Sequence, residues 1–96
     1  MNIEWDEAKR RANFAKHGLA FEDAERIFGG PCITFDDDRA DYGERRLLTL
    51  GLLEGRLVVI AHTPRGDGTR VISMRKGNER EKKIYQERLA AHRPSA

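Results

Sequence analysis

A run of five apolar residues, Leu57–Ala61, limits most strongly what this chain can fold into. The run is apolar at both alternations of a strand, so a strand there must be covered on both faces. Short turn signals enclose it, with Glu54-Gly55 just before it and Pro64–Gly68 just after it. Connections this short join only antiparallel neighbours. The sequence therefore predicts a central strand in an antiparallel meander, with a helix packed on at least one face.

Four segments show the alternation or the continuous apolar pattern of strands. They are Cys32–Phe35, Arg46–Leu53, Arg56–Thr63 and Arg70–Arg75. Because no helical segment separates them, we expect one sheet rather than a βαβ arrangement.

Segments with the apolar spacing of helices lie before and after these strands in the sequence. A first helix is predicted over Glu7–His17, and a second, shorter one carries its apolar residues between positions 21 and 28. A third begins near Glu79, because Asn78 and Glu81 form a capping pair. The predicted fold class is α+β, with two N-terminal helices, a four-stranded antiparallel meander sheet and a C-terminal helix. At 96 residues the chain is too short to divide its core, so residues 1–96 are expected to form one domain.

The charges are distributed unevenly along the chain. Residues 1–44 hold 6 Lys and Arg against 11 Asp and Glu, whereas residues 45–96 hold 12 against 5. A basic half favours a polyanionic partner, although the same charges would also serve to solvate a helix and turns. A single cysteine, Cys32, an acidic N-terminus and the lack of a long apolar run predict a cytoplasmic protein that is not inserted in a membrane.

Four cations lie on one predicted hairpin, at Arg65, Arg70, Arg75 and Lys76. Cleavage of RNA without a metal requires such cations on the phosphate, together with groups that take up and release protons. On a regular strand, Arg70 and Arg75 would point to opposite faces, so all four cations are not expected to contact one phosphate.

Three residues are candidate proton carriers, and each has a structural alternative. Glu44 precedes Arg45 and Arg46, where it is either a general base or half of an ion pair at a strand end. His17 can exchange a proton near neutral pH, or can simply stabilise the end of a helix. Tyr85 lies on the inner stripe of the third helix, where a phenol commonly packs in the core.

Metal and cofactor sites are not expected. His17, His62, His92 and Cys32 show no zinc spacing. The acidic run Asp36–Asp38 with Asp41 has the ligand chemistry of a magnesium site, but we interpret it as a solvated loop. No glycine-rich phosphate loop is present in the sequence.

Taken together, a series of motifs resembles the BrnT toxins of bacterial type II toxin–antitoxin pairs, whose fold is similar to that of the RelE and ParE toxins. The resemblance rests on WDEAK (Trp5–Lys9), Asn13, KHGLAFEDA (Lys16–Ala24), Ile27-Phe28, GERR (Gly43–Arg46), Gly51, RVISMRKG (Arg70–Gly77), Glu81 and Tyr85. The chain departs from the family at Gly77, where alanine is usual, and a glycine there is expected to loosen the end of the strand by about 0.5 to 1 kcal/mol.

The resemblance implies a ribonuclease that arrests growth. It also implies a partner similar to the BrnA antitoxin, a ribbon-helix-helix DNA-binding protein that masks the toxin and with it binds operator DNA. We expect metal-independent cleavage that leaves cyclic phosphate ends. The alternative is a basic module without catalysis that docks an acidic partner or nucleic acid. The predicted catalytic residues are Glu44, His17, Arg75, Lys76 and Tyr85, and the predicted substrate-binding residues are Lys16, Arg46, Arg65 and Arg70.

Overall fold

The apolar run lies in the middle strand of a five-stranded sheet, in a computed structural model that describes residues 2–91. The strands lie in the order β1-β5-β4-β3-β2, so the predicted antiparallel meander of β2 to β5 is confirmed. No helix within the described residues is long and apolar enough to cross a membrane. In chain order the elements are β1 (Ile3–Trp5), α1 (Glu7–His17), a 3-10 turn (Phe21–Asp23), α2 (Ala24–Phe28), β2 (Cys32–Asp36), β3 (Leu47–Leu53), β4 (Arg56–Arg65), β5 (Gly68–Lys76) and α3 (Glu79–Ala91).

The prediction of four antiparallel strands is wrong in one respect, because it omits β1. Ile3–Trp5 pairs in parallel with residues 69–71 of β5, which makes the sheet mixed. Three residues contain too little alternation to be recognised as a strand. The partner strand also lies near the other end of the chain, where no turn signal could connect the two.

Two helices begin at the capping residues that the sequence indicates. The side chain of Asp6 accepts a hydrogen bond from the Lys9 N–H at 3.0 Å at the start of α1. At α3, Asn78 Oδ1 accepts from the Glu81 N–H at 2.8 Å, and Glu81 Oε1 accepts from the Asn78 N–H at 2.9 Å. This reciprocal pair is a capping box, and the predicted start of α3 is confirmed.

Helices cover the sheet on both faces, so its core has two parts. On the first face, which we call the α1/α2 face, the buried core residues are Phe21, Ala24, Ile27, Val58, Ile60, Val71 and Met74. On the second face, the α3 face, Tyr85 packs against Leu50, Leu57 and Val59. Strand β4 supplies residues to both parts, which explains why its sequence is apolar at every position from 57 to 60.

Asn13 attaches α1 to β5 beyond the end of β1. Its Nδ2 donates to the Met74 carbonyl oxygen at 3.0 Å, and its Oδ1 accepts from the Met74 N–H at 3.1 Å. Strand β1 ends at Trp5, opposite Val71, so at Met74 the edge of β5 that faces away from β4 has no strand neighbour. The buried amide of Asn13 therefore replaces the missing strand.

Two glycines are required by local geometry. Glu54 and Gly55 have φ values of 51° and 79°, as in the type I′ turn that joins twisted antiparallel strands. Gly77 lies so close to Leu57 that a Cβ atom there would be 2.5 Å from Leu57 Cδ2. The glycine at the end of β5 therefore provides space for a buried leucine.

Candidate functional site

A β-bulge in β5 decides which arginines share a face of the sheet. Ser73 pairs with Ala61, whereas Val71 pairs with His62, so Ile72 is an extra residue on the β5 side. A bulge of this kind reverses the alternation of side chains beyond it.

Arg70 and Arg75 consequently lie on the same face, and the expectation that they point to opposite faces is wrong. Val71 and Met74, three residues apart, both enter the core of the α1/α2 face. Arg70 and Arg75 flank them and therefore point to the α3 face. The Arg75 guanidinium accordingly contacts Glu81 of α3.

Arg46 joins these two arginines from the beginning of β3. Arg70 pairs with Thr63 of β4. The Thr63 hydroxyl donates at 2.6 Å to the carbonyl oxygen of Arg45, the residue before Arg46. Arg46 thus lies two strands from Arg70, about 10 Å between Cα atoms at the usual strand spacing. Leu48, two residues further on, packs in the core of the α3 face, so Arg46 points to that face too. We call the group formed by Arg46, Arg70 and Arg75 the arginine face.

The arginine face is open between its members. Ala61 and Ser73 pair with each other in mid-sheet, yet both are only partly buried. Helix α3 packs instead towards β2 and β3, where the Arg88 guanidinium lies over the Phe35 ring at 5.1 Å. A ligand can therefore reach the middle of the sheet beside α3.

Two members of the arginine face carry unused hydrogen-bond donors. The Nε atoms of Arg46 and Arg70 are buried and have no hydrogen-bond partner within residues 2–91. Arg46 has an ion pair, in which its Nε lies 3.7 Å from Glu44 Oε2, outside hydrogen-bond distance. Buried donors without a partner are rare in folded proteins, and a guanidinium is suited to binding a phosphate. The two arginines therefore form a candidate phosphate-binding site.

Arg75 is already occupied by Glu81. Its Nη1 and Nη2 donate to the two carboxylate oxygens at 2.8 and 2.7 Å. The hydrogen bonds from Arg75 lower the pKa of Glu81, and those to Glu81 raise the pKa of Arg75. Glu81 is therefore held in its charged form and is a weak candidate for a general base.

The prediction of a solvated acidic run is correct for Asp36, Asp38 and Asp41, which are exposed, but wrong for Asp37. The Asp37 side chain is only 1% exposed and accepts hydrogen bonds from Arg39 at 2.7 and 2.9 Å. These bonds lower the pKa of Asp37. Asp36 pairs with Arg45 at 3.0 Å. Within the described residues, no group of three or more His, Cys, Asp or Glu side chains could hold a metal ion; His92 lies outside them.

His17 and Lys76 lie together, but away from the arginine face. Both line a groove of about 560 Å³ at the end of the sheet where the β3–β4 turn is found, together with Arg56. Two carboxylates, Asp23 and Glu54, line the same groove. Lys76 follows Arg75 in the chain and so points to the opposite face. The predicted group of Arg75, Lys76, Glu44 and His17 is therefore divided between two sites.

The remaining predicted residues lie outside the arginine face. Tyr85 is 5% exposed and its hydroxyl donates to the Pro31 carbonyl oxygen at 2.7 Å, as expected for a core phenol. Burial raises the pKa of Tyr85. Arg65 lies at the far end of β4, 3.8 Å from Glu4. Lys16 is exposed in the last turn of α1.

His62 is buried on the α1/α2 face of the sheet and has a structural role. Its ring nitrogens lie 2.7 Å from Thr49 Oγ1 and 2.9 Å from Thr69 Oγ1, and Phe28 packs edge-on against it. Burial lowers the pKa of His62 to about 4, so the ring is neutral at physiological pH. Of the three predicted proton carriers, Glu44, His17 and Tyr85, Glu44 is the one that lies beside an arginine with an unused donor.

Sequence reasoning did not identify Tyr42 or Asp37 as parts of the site. The Tyr42 ring lies over the Arg46 guanidinium at 4.0 Å, and its hydroxyl donates to Asp37 Oδ2 at 3.3 Å. In the sequence, nothing distinguishes Asp37 from its acidic neighbours. The spacing between Tyr42 and Arg46 has no regular period because the residues between them form no helix or strand.

The chain matches one known protein family. A comparison with curated protein sequences found no match. The model of one protein family, described as ribonuclease toxin, BrnT, of type II toxin-antitoxin system, matches residues 5–81. The matched segment includes all three members of the arginine face and most of the sheet. The chain therefore belongs to the BrnT family of ribonuclease toxins.

Proposed function

We propose that the chain cleaves RNA on the arginine face, with Arg46 and Arg70 as the principal phosphate ligands. The observation that carries this proposal is the pair of buried Nε donors that have no hydrogen-bond partner among the described residues. The two side chains are partly exposed on one face of the sheet, where the phosphates of a single strand can approach the outer part of each guanidinium. Arg75 contributes positive charge at the edge of this site, although Glu81 neutralises part of it.

In the proposed reaction, Glu44 accepts the proton of the ribose 2′-hydroxyl. The 2′-oxygen then forms a bond to phosphorus while the bond between phosphorus and the 5′-oxygen breaks, and the 5′-oxygen takes a proton from water. The products are a 2′,3′-cyclic phosphate end and a 5′-hydroxyl end. The guanidinium groups of Arg46 and Arg70 stabilise the charge that develops on the phosphoryl oxygens. This proposed reaction requires no metal ion.

The family is a toxin family of type II toxin–antitoxin systems, and such a toxin has an antitoxin protein as its partner. We infer that the partner is similar to the ribbon-helix-helix antitoxin BrnA and that the complex binds operator DNA. The excess of positive charge in residues 45–96 supports an acidic binding segment in that partner.

The test is cleavage of a defined single-stranded RNA by the purified, antitoxin-free protein in EDTA. Arg46→Ala and Arg70→Ala should each reduce the rate at least 100-fold, a loss of about 2.7 kcal/mol in transition-state stabilisation. Arg11→Ala is the matched control, because Arg11 is exposed on α1. His17→Ala and Lys76→Ala should leave the rate within a few-fold of wild type. If His17→Ala and Lys76→Ala abolish cleavage while Arg46→Ala and Arg70→Ala do not, the active site lies in the groove at the end of the sheet.

The alternative is a basic binding module without catalysis. It predicts that the protein binds RNA through the same arginines but produces no cyclic phosphate ends and does not arrest growth when expressed alone. Strong binding of RNA without cleavage in either EDTA or Mg²⁺ would decide for this alternative.

A further inference from the structure

The loop before β3 fixes Arg46 at two points. At the backbone, the Asp37 N–H donates to the Arg46 carbonyl oxygen at 2.8 Å. At the other end of the side chain, the Tyr42 ring covers the guanidinium with 4.0 Å between the ring centre and Cζ. Because the Tyr42 hydroxyl donates to Asp37, the three residues form a closed circuit of contacts.

Asp37, which accepts the hydrogen bond from Tyr42, is itself fixed by a second residue. The Asp37 carboxylate is 1% exposed and bonded by Arg39 through both oxygens. A carboxylate paired in this way stays charged and has a fixed orientation. Tyr42 is therefore held at its hydroxyl by a rigid acceptor and at its ring by a cation.

Stacking leaves the donors of the guanidinium free. An aromatic ring attracts the cation through its face, whereas all five N–H groups of arginine point outward in the guanidinium plane. The ring can thus restrict Arg46 without competing for the hydrogen bonds that a phosphate needs. The only carboxylate paired with Arg46 among the described residues, Glu44, is 3.7 Å from Nε and does not hold it in place by a hydrogen bond.

We propose that Tyr42, held by Asp37, is a positioning residue that orients the Arg46 guanidinium towards the substrate phosphate. This inference rests on the proposed function, since it assigns a phosphate to Arg46. Tyr42 itself is not required to touch RNA. Its contribution is to reduce the freedom that Arg46 loses when the phosphate binds.

The first test is spectroscopic and does not depend on RNA. In the full-length protein, the NMR signal of the Arg46 Nε–Hε group should be displaced by the ring current of Tyr42, and it is assigned by its loss in Arg46→Lys. Tyr42→Phe, which keeps the ring, should retain most of the displacement, and Tyr42→Leu should abolish it. An Arg46 signal that is the same in wild type and Tyr42→Leu would overturn the proposal.

The second test is a double-mutant cycle on RNA affinity. The probe is a short fluorescent single-stranded RNA with 2′-O-methyl groups, which binds but lacks the attacking hydroxyl. Tyr42→Leu should weaken binding about 3- to 10-fold in the wild-type background, the range of a cation–π contact of moderate strength. In the Arg46→Ala background, the same substitution should have no further effect. An undiminished effect in that background would mean that Tyr42 contacts RNA directly and would refute a positioning role.

Control measurements separate the outcomes. Circular dichroism establishes that each variant is folded at the assay temperature; if Tyr42→Leu is not folded, the cycle is run with Tyr42→Phe, whose loss of the Asp37 contact should weaken binding about 2-fold. If Arg46→Ala has no effect on binding or cleavage, the proposed site is wrong. The displaced Arg46 signal would still report whether the ring orients the guanidinium.

Discussion

The buried His62 predicts a specific loss of stability between pH 7 and pH 5. In the folded protein, burial lowers the pKa of His62 from its ordinary value of 6.5 to about 4. The unfolded chain therefore binds more protons than the folded protein in this interval, and the free energy of unfolding must decrease as the pH falls. With those two pKa values, the decrease from pH 7 to pH 5 is about 1.8 kcal/mol. In the folded protein, Asp37 and Glu81 have lowered pKa values and lose their charge at a lower pH than this interval.

The assay is unfolding by urea at pH 7 and pH 5, followed by circular dichroism. His62→Gln removes the titrating group while its amide can still donate and accept a hydrogen bond. That variant should be less stable at pH 7 but should lose little further stability at pH 5. Lys83→Gln, at an exposed position of α3, is the control and should keep the full decrease. Equal stability of the wild type at the two pH values, or a retained decrease in His62→Gln, would contradict the lowered pKa of His62.

Three further substitutions test other contacts. Asn13→Ala leaves a buried N–H and carbonyl of β5 without partners and should lower the free energy of unfolding by about 2 to 4 kcal/mol in urea titrations. Gly77→Ala should destabilise by about 1 kcal/mol because Leu57 must move, whereas a gain in stability would mean that the glycine only loosens the strand. Glu81→Gln releases Arg75 and should tighten RNA binding about 3-fold by fluorescence anisotropy, with an unchanged affinity as the opposing result.

Local chemistry in the sequence accounts for most of the fold. The caps at Asp6 and Asn78 and the turn at Glu54-Gly55 act within a few residues, so their effects can be read directly from the chain. The meander follows from them because each connection is short. Strand β1 could not be predicted in this way, since its partner lies far along the sequence and its three residues carry almost no pattern.

The composition of the site was predictable, but its arrangement was not. Arg46 and Arg70 were identified as substrate ligands, and both lie on the arginine face, although binding itself is still a prediction. Their relation to Arg75 depends on the bulge at Ile72, which reverses the side-chain alternation and leaves no signal in the residues around it. The contact of Tyr42 with Arg46 depends on an irregular loop and requires the fold to be known.

The salt dependence of RNA binding tests most directly whether phosphates are held by the arginine face. Each cation that neutralises a phosphate of a single strand contributes about 0.7 to the slope of log affinity against log salt concentration. With the 2′-O-methyl RNA, replacement of Arg46 and Arg70 by glutamine should therefore reduce that slope by about 1.4. The same charge change at Arg11 and Arg80, on exposed helix surfaces, should leave the slope nearly unaltered. An unchanged slope in the Arg46 and Arg70 variant, or an equal reduction in the control, would place the RNA phosphates elsewhere on the protein.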